Sequence, residues 1–239
     1  MRLLLISNST NAGEEFLQHA TGFIKQFLGE GRLHCLFIPY AAVTLSFDEY
    51  EQKVKAKFDE MGHDLYSIHH AANTLEALEQ TDVIVTGGGN TFHLIKMLQD
   101  HDLIGPVREA VLNGKPYIGW SAGANVACPT ICTTNDMPII QPLSFEAFNL
   151  VPFQINPHYL DANPHGHAGE TREMRIEEYI EINPGIWVAG LREGTMFLIE
   201  NKEINFLGSK SLRIFKKGEE TKEYQSGDKL NFLMEVKRS

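Results

Sequence analysis

Ser121 stands between two glycines in GWSAGA, residues 119–124, which is a G-x-S-x-G pattern. The chemistry open to such a serine is acyl transfer. A hydroxyl is a poor nucleophile until a base takes its proton and donors receive the charge that develops on the attacked carbonyl. A sharp strand-to-helix turn meets the second need by geometry. It exposes Oγ and aims the next backbone N–H, here that of Ala122, at the oxyanion. The residues before Ser121, KPYI, read as a strand, and the small residues after it, ANVAC, suit a tightly packed helix start. The bland alternative is a small residue where two elements pack closely. The pattern alone is short, and its setting favours the nucleophile.

GGGN, residues 87–90, ends a second apolar run, DVIVT, and opens TFHLIKML. Glycines let a backbone approach a ligand and offer N–H groups to an anion. A dinucleotide fingerprint would need glycine where Phe92 stands and belongs after the first strand, and a P-loop would need a following Gly-Lys-Ser/Thr. Gly88 and Gly89 are therefore expected to supply a second oxyanion donor, with Asn90 beside the substrate. A plain tight turn is the competing reading.

The base is expected among ten histidines. His158, in QINPHY, directly follows an apolar strand, and the preceding proline stiffens its loop. His93 follows GGGN and is a lesser candidate for the site. His165 and His167, with His158, Asp161 and Glu170, offer a metal-binding alternative, but their spacing matches no helical zinc pattern. Two acids are credible partners for the imidazole: Asp136 in TTNDMP and Glu193 in LREGT. The strand-end setting of GLREGT favours Glu193. The acid left over is then free to hold a cationic part of a substrate.

These residues need a scaffold that gathers strand ends. LLLIS (3–7), HCLFIP (34–39), DLYSI (64–68), DVIVTG (82–87) and PYIGW (116–120) read as strands, with helical spacing over 14–28, 47–61, 73–80 and 91–113. The last stretch is expected to break near Gly105-Pro106. Continuous apolar strands alternating with helices predict an α/β fold, a mostly parallel sheet with helices on both faces and ligands beyond the carboxyl ends of the strands. Residues 136–169 read mainly as loops around FQIN, and 170–182 as one helix. From 186 onward TMFLIE, INFLG and SLRIF read as short strands, expected to extend the same sheet in antiparallel fashion. No linker or repeat divides the chain, so one domain is expected over residues 1–239.

Composition narrows the function. The chain has 239 residues, 43% hydrophobic and 22% charged, with a net charge of −10. That acidity repels phosphate backbones, so nucleic acid is not an expected partner. Four apolar residues, Leu3 to Ile6, are too few for a signal-peptide core or a membrane span. Three cysteines, an odd count, argue against a disulfide framework and point to a reducing cytoplasm.

Together GGGNTF, GWSAGAN with CPTI behind it, TTNDMPI, QINPHY, GHAGETRE and GLREG, with the N-terminal LLLISNST, resemble the peptidase E family of aspartyl dipeptidases over residues 1 to about 215. The tail, about 216–239, resembles it least. The resemblance implies a class I glutamine amidotransferase-like (flavodoxin-like) fold and a serine dipeptidase for substrates with N-terminal aspartate. Ser121 is then the nucleophile, His158 the base, and either Asp136 or Glu193 the third member. It also implies an arginine for the aspartate side chain in ETREMRI, where Arg172 is favoured over Arg175. Two solvated arginines are the alternative there. No metal or organic cofactor is implied, and a monomer or homodimer is expected. The rival readings are a cyanophycinase-like β-aspartyl peptidase, a non-catalytic binder of acidic small molecules, and a metallohydrolase built on the histidine loop.

Overall fold

In the computed structural model, which describes residues 1–161 and 169–235, five parallel strands form the centre of the molecule. They are β1 (Arg2–Ile6), β2 (His34–Ile38), β3 (Asp64–Ser67), β4 (Val83–Thr86) and β5 (Tyr117–Trp120), in the order β3-β2-β4-β5-β1. Every residue of β4 and β5 is buried, as expected of strands covered on both faces. The period of two divides β1 cleanly. Leu3 and Leu5 enter one core with α3 (Thr74–Gln80), α4 (Thr91–Asp100) and α5 (Ile104–Leu112). Leu4 and Ile6 enter a second core with α1 (Thr21–Leu28) and α2 (Phe47–Met61).

Helix boundaries follow local chemistry. Ser46 caps α2 in a reciprocal capping box with Glu49, and Gly62 closes the helix in the left-handed region at φ 90°. The stretch expected as one helix over 14–28 is a 3-10 turn, Gln18–Ala20, followed by α1. The break expected near Gly105-Pro106 falls earlier, between Asp100 and Ile104. Pro106 lies in the first turn of α5, where a missing N–H removes no helical hydrogen bond.

The C-terminal strands require a larger correction. Only β8 (Met196–Glu200) and β9 (Glu203–Leu207) extend the central sheet, antiparallel, beyond β1. A separate four-stranded sheet is built from β6 (Gln154–Tyr159), β7 (Val188–Arg192), β10 (Leu212–Phe215) and β11 (Lys222–Tyr224), in the order β11-β10-β7-β6. Burial explains why it forms apart. Ile155, Ala189, Leu191, Leu212 and Ile214 join the core that already holds Leu3 and Leu5. The opposite face, with Tyr159, Val188 and Phe215, is covered by Ile176 and Ile180 of α7 (Arg172–Ile182). The inner strands of each sheet thus have two covered faces, whereas the edge strands β9 and β11 keep exposed residues. No helix among the described residues is long and apolar enough to cross a membrane.

β5 runs straight into the short α6 (Ala122–Asn125). The crossing is crowded: a Cβ on Gly119 would lie 2.3 Å from the Gly123 carbonyl oxygen, and one on Gly123 would lie 2.2 Å from that of Thr86. Gly123→Ala is therefore expected to cost about 1–3 kcal/mol by overpacking, lowering the melting temperature by roughly 2–12 °C. An unchanged melting temperature would show that β4 and α6 can part without penalty.

Candidate active site

Ser121 occupies the turn between β5 and α6 at φ 53°, ψ −114°, a conformation that costs about 1–3 kcal/mol for a residue with a side chain. The surrounding structure holds it there. Its N–H donates to the Ile6 carbonyl at 3.0 Å, and its own carbonyl accepts from Ala124 and Asn125. The strain lifts Oγ out of the strand's path, over the carboxyl ends of β1, β4 and β5.

His158 reaches Ser121 from the second sheet. The register of β6 on β7 shifts between Pro157 and Tyr159, and His158 takes φ 54° at this irregularity. A bulge re-aims a side chain that a regular strand would direct elsewhere. Ser7, just past β1, pins it. Its Oγ accepts from the His158 N–H at 3.0 Å and donates to the Leu191 carbonyl at 2.8 Å. The imidazole Nε2 lies 2.9 Å from Ser121 Oγ, and Nδ1 lies 2.8 Å from Glu193 Oε1. A carboxylate only accepts, so the proton sits on Nδ1 and Nε2 is left to accept from the serine. Glu193 stands in the turn where the chain passes from β7 to β8, from one sheet to the other. Asn8 holds this turn by accepting from the Gly194 N–H at 2.7 Å.

The GGGN turn lies against the serine. A Cβ on Gly88 would come within 2.8 Å of Ser121 Cβ, and one on Gly89 within 2.2 Å of the Ala41 carbonyl oxygen, at a φ of 142° that side chains rarely adopt. Both positions demand glycine. The hydroxyl of the buried Tyr50 donates to the Gly88 carbonyl at 3.0 Å and accepts from the Trp120 indole N–H at 3.0 Å, tying the turn to the residue before Ser121. Among the described residues the N–H groups of Gly88, Gly89 and Ala122 have no acceptor, so they are available to an oxyanion.

A cleft of about 340 Å³ opens beside Ser121 and His158, lined also by Asp136, Arg172 and Glu193. Asp136 makes no hydrogen bond to His158. Its Oδ2 accepts from the N–H and hydroxyl of Thr91 at 2.7 and 2.6 Å, at the start of α4. Arg172 begins α7, whose cap is Thr171. Burial, and then the neighbouring charge of Arg175, hold the Arg172 guanidinium below its ordinary pKa, with Asp136 opposing. It forms no ion pair among the described residues. A partly desolvated cation without a partner suits a carboxylate ligand.

Other expected residues have different surroundings. Arg175 is exposed, pairs with Glu170 at 3.5 Å and lines neither this cleft nor a second one that also opens at Ser121. Asn90 is primarily the cap of α4: its Oδ1 accepts from the His93 N–H and its Nδ2 donates to the Met137 carbonyl, although it lines the second cleft at Ser121 rather than the one that holds Arg172. The His93 ring donates to the Tyr40 carbonyl. His165 and His167 lie outside the described residues. Asp161, named with them as a metal ligand, is taken up by Arg192, which also pairs with Glu223; Glu170 is the Arg175 partner. Asp48, Glu51, His69 and His70 do bring ligand-type atoms within 4.8 Å of one another, but none of the four lines either cleft at Ser121.

Sequence reasoning did not single out Ser7, Asn8 or Tyr50. Ser7 and Asn8 carry a legible signal, because polar residues directly after the apolar run of β1 lie at the carboxyl edge of a parallel sheet. Tyr50 reads only as the apolar face of an amphipathic helix.

Comparison with known proteins gives the family of the chain. The model of Peptidase family S51 matches residues 3–207. The chain is 52% identical to Peptidase E of Nostoc sp. over 234 residues, 98% of this chain and 97% of that one. It is 46% identical to Peptidase E of Salmonella paratyphi A over 227 residues, 95% and 99% of the two chains. The crystal structure of a peptidase from an acI-B1 actinobacterium is similar in fold, with a TM-score of 0.68 at 19% identity over 96% of each chain. The chain belongs to peptidase family S51.

Proposed function

We propose that this protein is a serine dipeptidase that hydrolyses dipeptides with N-terminal aspartate. Family membership supports the reaction class, and the named relatives support the dipeptidase reading. The single observation that carries the specificity is Arg172, which has no ion-pair partner among the described residues, in the cleft shared by Ser121, His158 and Glu193. The free thiols, Cys35 and Cys128 buried and Cys132 exposed, suit a reducing compartment, and we place the protein in the cytoplasm.

His158 Nε2 takes the Ser121 proton as Oγ attacks the scissile carbonyl carbon. The C=O electrons move onto oxygen, which the N–H groups of Ala122 and the Gly88–Gly89 turn receive. The imidazolium, stabilised by Glu193 at Nδ1, then gives its proton to the departing amine as the C–N bond breaks. Water, deprotonated by the same histidine, attacks the aspartyl ester and releases Ser121. Arg172 holds the substrate's side-chain carboxylate through a charged, forked contact. Asp136, with one oxygen committed to Thr91, presents the other to the substrate ammonium.

Arg172→Met tests the specificity. The substitution keeps the apolar stem and removes the charge and the donors. Loss of one charged hydrogen-bonded contact costs roughly 2–4 kcal/mol, about 30- to 1000-fold in kcat/KM for Asp-Leu. Ala-Leu, which never used the contact, loses little. Normal hydrolysis of Asp-Leu by Arg172→Met would make this residue a solvated surface charge and pass the test to Arg175.

A further inference from the structure

A second cleft, of about 700 Å³, meets the Arg172 cleft at Ser121, Asp136 and His158. An acyl-transfer site has two sides, one for the acyl group and one for the leaving group. With Arg172 on the acyl side, the second cleft is where the leaving amino acid must lie. In a dipeptide that residue carries a free α-carboxylate, one residue beyond the scissile bond.

Apart from His158, the only cationic side chain among the described residues lining this cleft is Lys53. It lies one turn after Tyr50 on the same face of α2, and Tyr50 is bonded to the GGGN turn. The Lys53 ammonium sits 4.4 Å from the centroid of the Phe16 ring, and Phe16 packs edge-on against Trp120 at 6.1 Å, the residue before the nucleophile. Lys55 and Lys57, on the same helix, pair with Asp59, Glu15 and Glu60. Lys53 has no carboxylate partner among the described residues, although acids outnumber bases in this chain by 31 to 21. An exposed ammonium that lies over a ring in the cleft that holds Ser121, without a carboxylate partner among the described residues, is available to an anion that arrives with the substrate. Its flexible stem also lets one charge follow leaving residues of different size.

We propose that Lys53 binds the C-terminal carboxylate of the leaving amino acid, so that the enzyme reads both ends of its substrate. This rests on the dipeptidase reading above and adds its leaving-side determinant. The chemistry selects free dipeptides over peptides extended or blocked at the C-terminus.

The test compares kcat/KM for Asp-Leu with that for Asp-Leu amide, whose C-terminus is neutral. Wild-type enzyme is expected to favour the free acid by roughly 10- to 100-fold. Lys53→Met keeps the stem over Phe16 and should erase that preference by raising KM for Asp-Leu, with the amide unchanged. Lys53→Arg should restore most of it. Three results would overturn the proposal: a preference that survives Lys53→Met, equal cleavage of acid and amide by wild type, or an equal loss on both substrates, which marks a purely structural residue. Wild type that cleaves neither substrate would remove the dipeptidase reading and this proposal together. The Asp-Leu to Ala-Leu ratio does not involve the C-terminus, so it shows which of the two has failed.

Discussion

Ser121→Ala is expected to lower turnover of Asp-Leu by at least about 10³-fold while the protein stays folded. The alanine inherits the same backbone at φ 53°, with no new atom in the crowded turn, so the cost to the fold is confined to one hydrogen bond with His158. That loss, about 0.5–1.5 kcal/mol, is readily separated from the activity by a thermal melt. What disappears is the atom proposed to attack. The oxyanion donors and the Arg172 cleft remain, so substrate still binds and only the acylation step is lost. Retained turnover, in a preparation free of host peptidases, would exclude the serine mechanism.

Glu193→Gln is the second large effect. Glu193 touches His158 Nδ1 at 2.8 Å and Asp136 does not touch the imidazole. The carboxylate fixes the tautomer that leaves Nε2 free to accept, and it stabilises the imidazolium that exists only once Ser121 has lost its proton. An interaction made in the transition state alone appears in kcat. Its loss is expected to reduce kcat by about 10²- to 10⁴-fold, with KM little changed. Asp136→Asn should show the opposite pattern, because an acid that holds the substrate ammonium acts in ground state and transition state alike. KM rises and kcat is largely kept. If Asp136→Asn loses kcat at constant KM while Glu193→Gln raises KM, the two assignments exchange.

The central sheet was legible in the sequence because its strands are short, apolar and separated by helices with their own signals. β2, β4 and β5 fall within a residue or two of the expected runs, and the 47–61 helix matches α2 residue for residue. The second sheet was not legible. Alternation in SLRIF or the apolar run VAGLR states that a strand exists and which faces are buried, but not which neighbour it pairs with. Here β7 turns directly into β8 and yet belongs to a different sheet. The site divides along the same line. Ser121 and the GGGN turn carry local backbone signals, and His158 lies at a strand end. The choice between Glu193 and Asp136 depends on which acid the fold brings to Nδ1, a long-range fact. The sequence also placed Asn90 with the substrate, whereas capping absorbs its amide. Lys53 reads as one more solvated charge on an amphipathic helix until Phe16 and Ser121 are seen around the same cleft.

The most direct test of the central proposal is kcat/KM for Asp-Leu against Asn-Leu, measured with wild-type enzyme in one dipeptide panel that includes Ala-Leu and the isoaspartyl isomer. Asn-Leu keeps the shape of the proposed substrate and removes only the charge that Arg172 is proposed to meet. A site arranged around a charged, hydrogen-bonded contact rejects the analogue lacking it by about 10³-fold or more. The expected result is a preference of that size for Asp-Leu over both neutral dipeptides, with the isoaspartyl isomer a poor substrate. Comparable rates on Asp-Leu and Asn-Leu, or faster cleavage of the isoaspartyl linkage, would contradict it.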